Sequence, residues 1–285
     1  MEKFKNFFVG TNKRLRITTA FFMLAIAYFC FSFGFWGVCG LALTIALAMI
    51  YEFNRLFNPK LGLKFAWDCI SIIGILSLFC ANRIIWNVPN YYFSFALVGL
   101  FCSSMLANIA SERKHWVLES LTPIYIGFGV MSILYAYLYS SIVALIYIFI
   151  ITIATDSGAF FIGSTLGGPK LCPKISPKKT WSGSLGGILC AFAFATSFII
   201  AVLWNMSTDN FNNVSLWGAI SIVLSIISQI GDLFESWLKR LNGIKDSSNL
   251  IPGHGGFLDR FDSALFVAPV MALIIAFTKV GFLML

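Results

Sequence analysis

Long apolar stretches separated by short polar breaks dominate the chain. Nine runs stand out, at about 17–34, 35–51, 65–81, 91–110, 121–139, 141–155, 183–204, 214–231 and 262–284. As helices, runs of roughly 17–25 residues can cross a hydrocarbon core of about 30 Å. Run 141–155 is shorter, and only Gly34 and Gly37 interrupt 17–51. Run 17–34 follows Lys13, Arg14 and Arg16, has no small-residue cleavage site after it, and leads directly into further spans. It reads as an uncleaved first span and not as a signal peptide. The pattern predicts an all-α, polytopic integral membrane protein with about nine transmembrane helices.

Composition removes the soluble alternatives. With 59% hydrophobic and 11% charged residues, 30 Phe, 8 Trp and a mean hydropathy of +0.85, the chain could not present a water-soluble surface. The basic residues then orient it. With nine spans and the N-terminus inside, segments 1–16, 52–64, 111–120, 156–182 and 232–261 hold 18 of the 20 Lys and Arg; only Arg83 and Lys279 fall elsewhere. That bias places the N-terminus in the cytoplasm and the C-terminus outside. The net charge of +8 is therefore topology signal and attraction to anionic headgroups, and no nucleic-acid partner is expected. Of seven cysteines, only Cys172 falls in a cytoplasmic loop, and no CxxC occurs, which argues against a zinc site or a disulfide framework.

The two halves differ. Residues 1–140 are spans joined by short loops, a scaffold that could also supply dimer contacts. Asp68 lies inside an early span, three residues from its cytoplasmic edge, and is expected to snorkel to water. His115 is expected to be a headgroup-facing surface residue. Residues 141–285 form the expected catalytic region, with two long cytoplasmic loops, 156–182 and 232–261, dense in Gly, Pro, Lys, Asp and Ser.

Those loops carry the candidate chemistry. Asp232 and Ser236 are four apart on a continuation of a helical pattern, and Asp259 and Asp262 are three apart where the last span begins. Three converging carboxylates would repel one another without a cation, and oxygen ligands suit a hard ion such as Mg²⁺. Glu235 is better read as the i, i+4 partner of Lys239. Lys178 and Lys179 precede a span that starts on the cytoplasmic side, and PGHGG (252–256) supplies glycines for close backbone approach. Helix N-termini favour phosphates. The combined picture is a cation beside Asp232, with phosphates toward the starts of the seventh and ninth spans.

The spacing Ser236-x2-Lys239-Arg240-x4-Lys245-Asp246-x5-Pro252-x-His254-Gly255-Gly256-x2-Asp259-Arg260-x-Asp262 resembles the signature of the phosphatidate cytidylyltransferase (CDP-diacylglycerol synthase) family. The stretches Asp156-Ser157-Gly158-Ala159 and Ile175-Ser176-Pro177-Lys178-Lys179-Thr180-Trp181 resemble it too. Two positions depart from the pattern: Ser182, where an acid is common, and Ser164, where a base is common. The resemblance implies a nine-helix bacterial-type inner-membrane enzyme, commonly a homodimer. It would make CDP-diacylglycerol and pyrophosphate from CTP and phosphatidic acid at the cytoplasmic face.

The resemblance maps the metal-binding acids to Asp232, Asp259 and Asp262, for Mg²⁺ and a second cation where one is used. These three with Lys179 form the expected catalytic set. The expected substrate contacts are Asp156, Lys178, Lys179, Ser236, Lys239, Arg240, Lys245, Asp246, His254, Gly255, Gly256 and Arg260. A phosphate nucleophile is already ionised near neutral pH, so no strong general base is needed. Two alternative classes make other demands on the sequence. A cation-coupled transporter would place its charges at the midplane and show internal repeats. A CDP-alcohol phosphotransferase would need a DG-x2-AR segment, which is absent.

Overall fold

The computed structural model describes residues 2–57, 62–85, 116–205 and 212–278. Its helices are α1 (Glu2–Ser32), α2 (Gly34–Phe57), α3 (Leu63–Ile85), the short α4 (Trp116–Ser120), α5 (Thr122–Leu166), α6 (Trp181–Asn205), α7 (Asn212–Leu241) and α8 (Leu258–Thr278). Six stretches among the described residues are long and apolar enough to cross a membrane. The multi-pass, helical character is thus plain. The run expected at 91–110, with Cys102 and His115, lies outside the described residues.

The breaks between runs have local causes. Gly34 separates α1 from α2 with φ +63, a left-handed conformation that glycine adopts without steric cost. The stretch Val117–Leu166 is 50 residues long, about twice what one bilayer crossing needs. Ser141 divides it, with φ 60 and ψ −165 inside α5, at the boundary expected between runs 121–139 and 141–155.

The chain forms two compact units. The first comprises residues 1–131 and 244–260, the second residues 132–243 and 261–285. In the first, α2 buries Ala46, Met49, Ile50 and Phe53, and α3 buries Ile72, Ile75 and Leu76. Both sets follow the i, i+3, i+4 spacing of one helix face. Gly127 of α5 packs on α3, where an added Cβ would come within 3.0 Å of Ile72.

Asp68 corrects the expectation of snorkelling. It is 0% exposed, 3.0 Å from Lys64 Nζ one turn earlier, and accepts a 2.9 Å hydrogen bond from Asn54 Nδ2. Lys64 also donates to Asn54 Oδ1 at 2.9 Å. A cation and an amide supplied from within meet the carboxylate, so it has no need of water.

In the second unit, α6 buries Ala191, Ala195 and Ile199 at i, i+4 spacing, and α5 buries Ala144, Tyr147, Ile148 and Ile151. Hydroxyls tie the helices where water is scarce. Tyr147 Oη donates to the Trp217 carbonyl at 2.5 Å, and Thr155 Oγ1 lies 2.7 Å from Ser225 Oγ.

One element departs from the all-α expectation. An antiparallel hairpin, β1 (Lys170–Cys172) with β2 (Ser176–Thr180), occupies part of the expected loop 156–182. The loop boundaries also shift. α5 continues to Leu166, past Asp156, and α7 continues to Leu241, past Asp232.

Candidate active site

Glycine makes the architecture of the second unit possible. An added Cβ at Gly183 would lie 2.7 Å from the Ala159 carbonyl, and one at Gly187 would lie 2.7 Å from that of Thr155. At Gly158 it would meet Cys190 at 2.6 Å. The end of α5 and the start of α6 therefore touch through backbone, as small residues allow. This contact extends α5 through TDSGAFFIGSTL, which has weak helix propensity of its own.

The hairpin feeds directly into α6. Thr180, the last residue of β2, caps that helix: its Oγ1 accepts from the Gly183 N–H at 3.1 Å. Ser182 Oγ donates to the Gly167 carbonyl, so the residue that departs from the family pattern ties the helix start to the end of α5. Arg240 Nε donates to the Ile175 carbonyl at 3.3 Å and steadies the hairpin turn from α7.

These elements enclose a cavity of about 550 Å³. Its charged lining is Lys170, Lys178 and Lys179 with Asp156 and Asp232, three bases to two acids. Ser164 and Thr180 also line it, as does Ser184, which donates to Gln229 Oε1 at 2.5 Å. Lys179 Nζ lies 2.5 Å from Asp232 Oδ2, and each side chain is 26% exposed. Among the described residues, Lys170 and Lys178 take part in no ion pair. The start of α6 adds the positive end of its dipole. The cavity can therefore accept a polyanion of nucleotide size.

Asp232 has a second acidic neighbour. Gly231 lets α7 close on α8, since a Cβ there would lie 2.8 Å from the Asp262 carbonyl. Asp262 sits in the fields of Asp232, Lys179 and Lys239, and its Oδ1 accepts from the Ser263 N–H at 2.6 Å. Ser236 Oγ donates to Asp232 Oδ1 at 3.3 Å, as their shared helix face predicts. The donors here are all oxygen, which fits a hard divalent cation better than a soft one. No group of three or more carboxylate, imidazole or thiol side chains suited to an ion gathers among the described residues. Lys239 lies 2.6 Å from Glu235 Oε2, the expected i, i+4 pair.

The remaining expected residues lie in the first unit. Asp259 Oδ2 accepts from the Ser247 N–H at 3.1 Å, Ser247 Oγ at 2.9 Å and the Gly256 N–H at 2.9 Å. The His254 and Gly255 N–H groups both donate to the Ile251 carbonyl. The glycines of PGHGG thus build a turn here, with φ +78 at Gly253 and +90 at Gly255. His254 Nδ1 lies 2.9 Å from Thr19 Oγ1. Arg260 Nε donates to the His254 carbonyl at 2.9 Å and so braces the turn. Lys245 and Asp246 are exposed.

A sequence model of the cytidylyltransferase family matches residues 14–278. The phosphatidate cytidylyltransferase of Brucella suis biovar 1 (strain 1330) is 33% identical over 270 residues, covering 92% of this chain and 93% of that one. The chain belongs to the cytidylyltransferase family. The phosphatidate cytidylyltransferase of Rickettsia typhi (strain ATCC VR-144 / Wilmington) is 38% identical over 201 residues, 70% of this chain and 87% of its own. That of Staphylococcus haemolyticus (strain JCSC1435) is 40% identical over 151 residues, covering 53% and 55%.

In this cytidylyltransferase-family chain, the sequence expectation missed three features. Lys170 and Gln229 line the cavity. Lys170 lay in a named loop, but its side of the hairpin could not be read without the strand pairing. Glu52 is fully buried against the loop that precedes α8. An acid at the border of an apolar run was the only signal for it.

Proposed function

We propose that this chain is a CTP:phosphatidate cytidylyltransferase, an integral membrane nucleotidyltransferase of phospholipid biosynthesis. The observation that carries the reading is the lysine-lined cavity at the start of α6, with Asp232 in its lining and Asp262 within the field of Asp232.

The reaction joins two anions. A phosphate oxygen of phosphatidic acid attacks the α-phosphorus of CTP. The bond from that phosphorus to the bridging oxygen breaks, and pyrophosphate leaves with the electron pair. Lys178 and Lys179 neutralise and orient the triphosphate. The N-terminal N–H groups of α6 add donors along the same line. Asp232 and Asp262 would hold Mg²⁺, while Asp259, which the family resemblance also implies as a metal-binding acid, is held by Ser247 and Gly256. When bound, the ion supplies charge neutralisation for the phosphate oxygens. Lys179 then exchanges Asp232 for phosphate. The acyl chains stay in the bilayer. The nine-span topology with a cytoplasmic N-terminus belongs to the same reading, supported by the distribution of Lys and Arg.

The test is a detergent-solubilised assay with labelled CTP, phosphatidic acid and Mg²⁺. Label should appear in lipid with release of pyrophosphate, and the Lys179→Ala variant should lose about 10²-fold in kcat/KM. A well-folded wild type that transfers no label would overturn the assignment.

A further inference from the structure

Glu52 is an acid that the proposed chemistry does not use. It lies near the C-terminal end of α2, within the first unit, and is 0% exposed. Its Oε1 accepts from Ser248 Oγ at 2.5 Å and from the Phe257 N–H at 2.9 Å. Its Oε2 accepts from the Leu258 N–H at 2.7 Å and from Ser247 Oγ at 3.4 Å. Among the described residues no lysine or arginine pairs with it.

A buried carboxylate without a counter-ion is costly unless several donors converge on it. Here they do, and two of them are the N–H groups where α8 begins, at the positive end of its dipole. The fit is tight. A Cβ at Gly256 would overlap Ser247 Oγ and lie 2.7 Å from Glu52 Oε1. The single Ser247 hydroxyl hydrogen is shared between Asp259 Oδ2 at 2.9 Å and Glu52 Oε2 at 3.4 Å, so the loop serine lies between two acids.

We infer that Glu52 is a positioning residue for nucleotidyl transfer, an inference that rests on the proposed cytidylyltransferase activity. By holding Ser247, Ser248 and the first N–H groups of α8, it sets the height and rotation of that helix. Asp259 stands on the first turn and Asp262 one turn on, along the same helix. A helix transmits rotation at its start to the side chains that follow, and a misplacement of about 1 Å at a reacting centre can cost about 10²-fold in rate. Both carboxylate oxygens are needed, because Oε1 serves the Ser248 hydroxyl and the Phe257 N–H while Oε2 serves the Leu258 N–H. Glutamine in the same place would turn an NH₂ toward one of those sets of donors. Aspartate would keep both acceptors on a shorter stem.

The experiment uses the full chain in detergent, comparing wild type, Glu52→Gln and Glu52→Asp. Hydrogen exchange over 247–260 is read beside kcat and the KM for CTP. In Glu52→Gln, exchange over 247–260 should rise at least about tenfold, with 176–190 unchanged. Its kcat should fall about 10²-fold while KM stays within about threefold. Glu52→Asp should recover most of the kcat. Unchanged exchange and turnover would overturn the inference. So would faster exchange with turnover per folded molecule intact, which would leave a purely structural cap. An inactive but well-folded wild type with a protected 247–260 segment would sink the activity and the positioning role together, while the capping contact would stand.

Discussion

Two acid clusters in this molecule use the same side chains differently. In the first unit, Glu52 and Asp259 are met by backbone N–H groups and serine hydroxyls. In the second, Asp232 and Asp262 lie close enough to feel each other's charge, and Asp232 touches Lys179 at the mouth of a cavity. Backbone donors are fixed by the fold, so acids bound to them hold a loop in place. A half-exposed lysine can change partners when a polyanion arrives. The letter D in a motif therefore names no single job; its donors decide.

The sharpest way to break that contrast is Asp232→Asn. Removing the charge should cost activity by about 10³-fold and leave thermal stability unchanged or slightly higher, because repulsion with Asp262 is relieved. Turnover within tenfold of wild type would take Asp232 out of the reaction. Stability would be read by a thermal shift in detergent beside the label-transfer assay.

The first unit should respond in the opposite currency. Lys64→Met removes the ammonium that Asp68 meets at 3.0 Å beside Asn54, and breaking such a pair typically costs about 3–5 kcal/mol. The expected result is a large fall in thermal stability with little change in the KM for CTP. Adding Asp68→Leu to Lys64→Met should return much of the stability, since apolar replacement of a buried pair is often neutral. A double variant no more stable than the single one would show that the pair does more than neutralise itself.

Much of the transmembrane frame was legible, because 20 consecutive apolar residues leave a chain few other options. The Ser141 break and the i, i+4 pairing of Glu235 with Lys239 were legible for the same local reason. What escaped depends on distant partners. TDSGAFFIGSTL is helical because Gly158 and Gly163 pack against the start of α6, and tertiary contact of this kind overrides propensity. The hairpin was hidden by its shortness and by Pro177, which a strand tolerates at an edge. Glu52 finds its donors about 200 residues away, and no spacing rule reaches that far. The lysines of ISPKKTW were expected beside a helix start, a local rule, and both line the cavity before α6.

The two cavity lysines that have no ion pair among the described residues should grade by position. Lys178 stands two residues before the cap of α6, so Lys178→Ala should raise the KM for CTP about tenfold with kcat little changed, the pattern of a contact made equally before and during reaction. An unaltered KM would point Lys178 at the lipid headgroup instead, and the KM for phosphatidic acid would then carry the effect.

Lys170 sits on β1 across from Thr180, so it reaches the cavity from the far strand of the hairpin. Lys170 is exposed, and a charge that acts at a distance through water is screened over about 8 Å at physiological salt. Lys170→Ala should therefore raise the KM for CTP by only about threefold at low ionic strength. That difference should close as salt is added, whereas the Lys178 effect should persist because a direct phosphate contact excludes the screening ions. If the Lys170 effect survives high salt unchanged, the residue touches phosphate directly, and the hairpin must present both of its strands to the nucleotide.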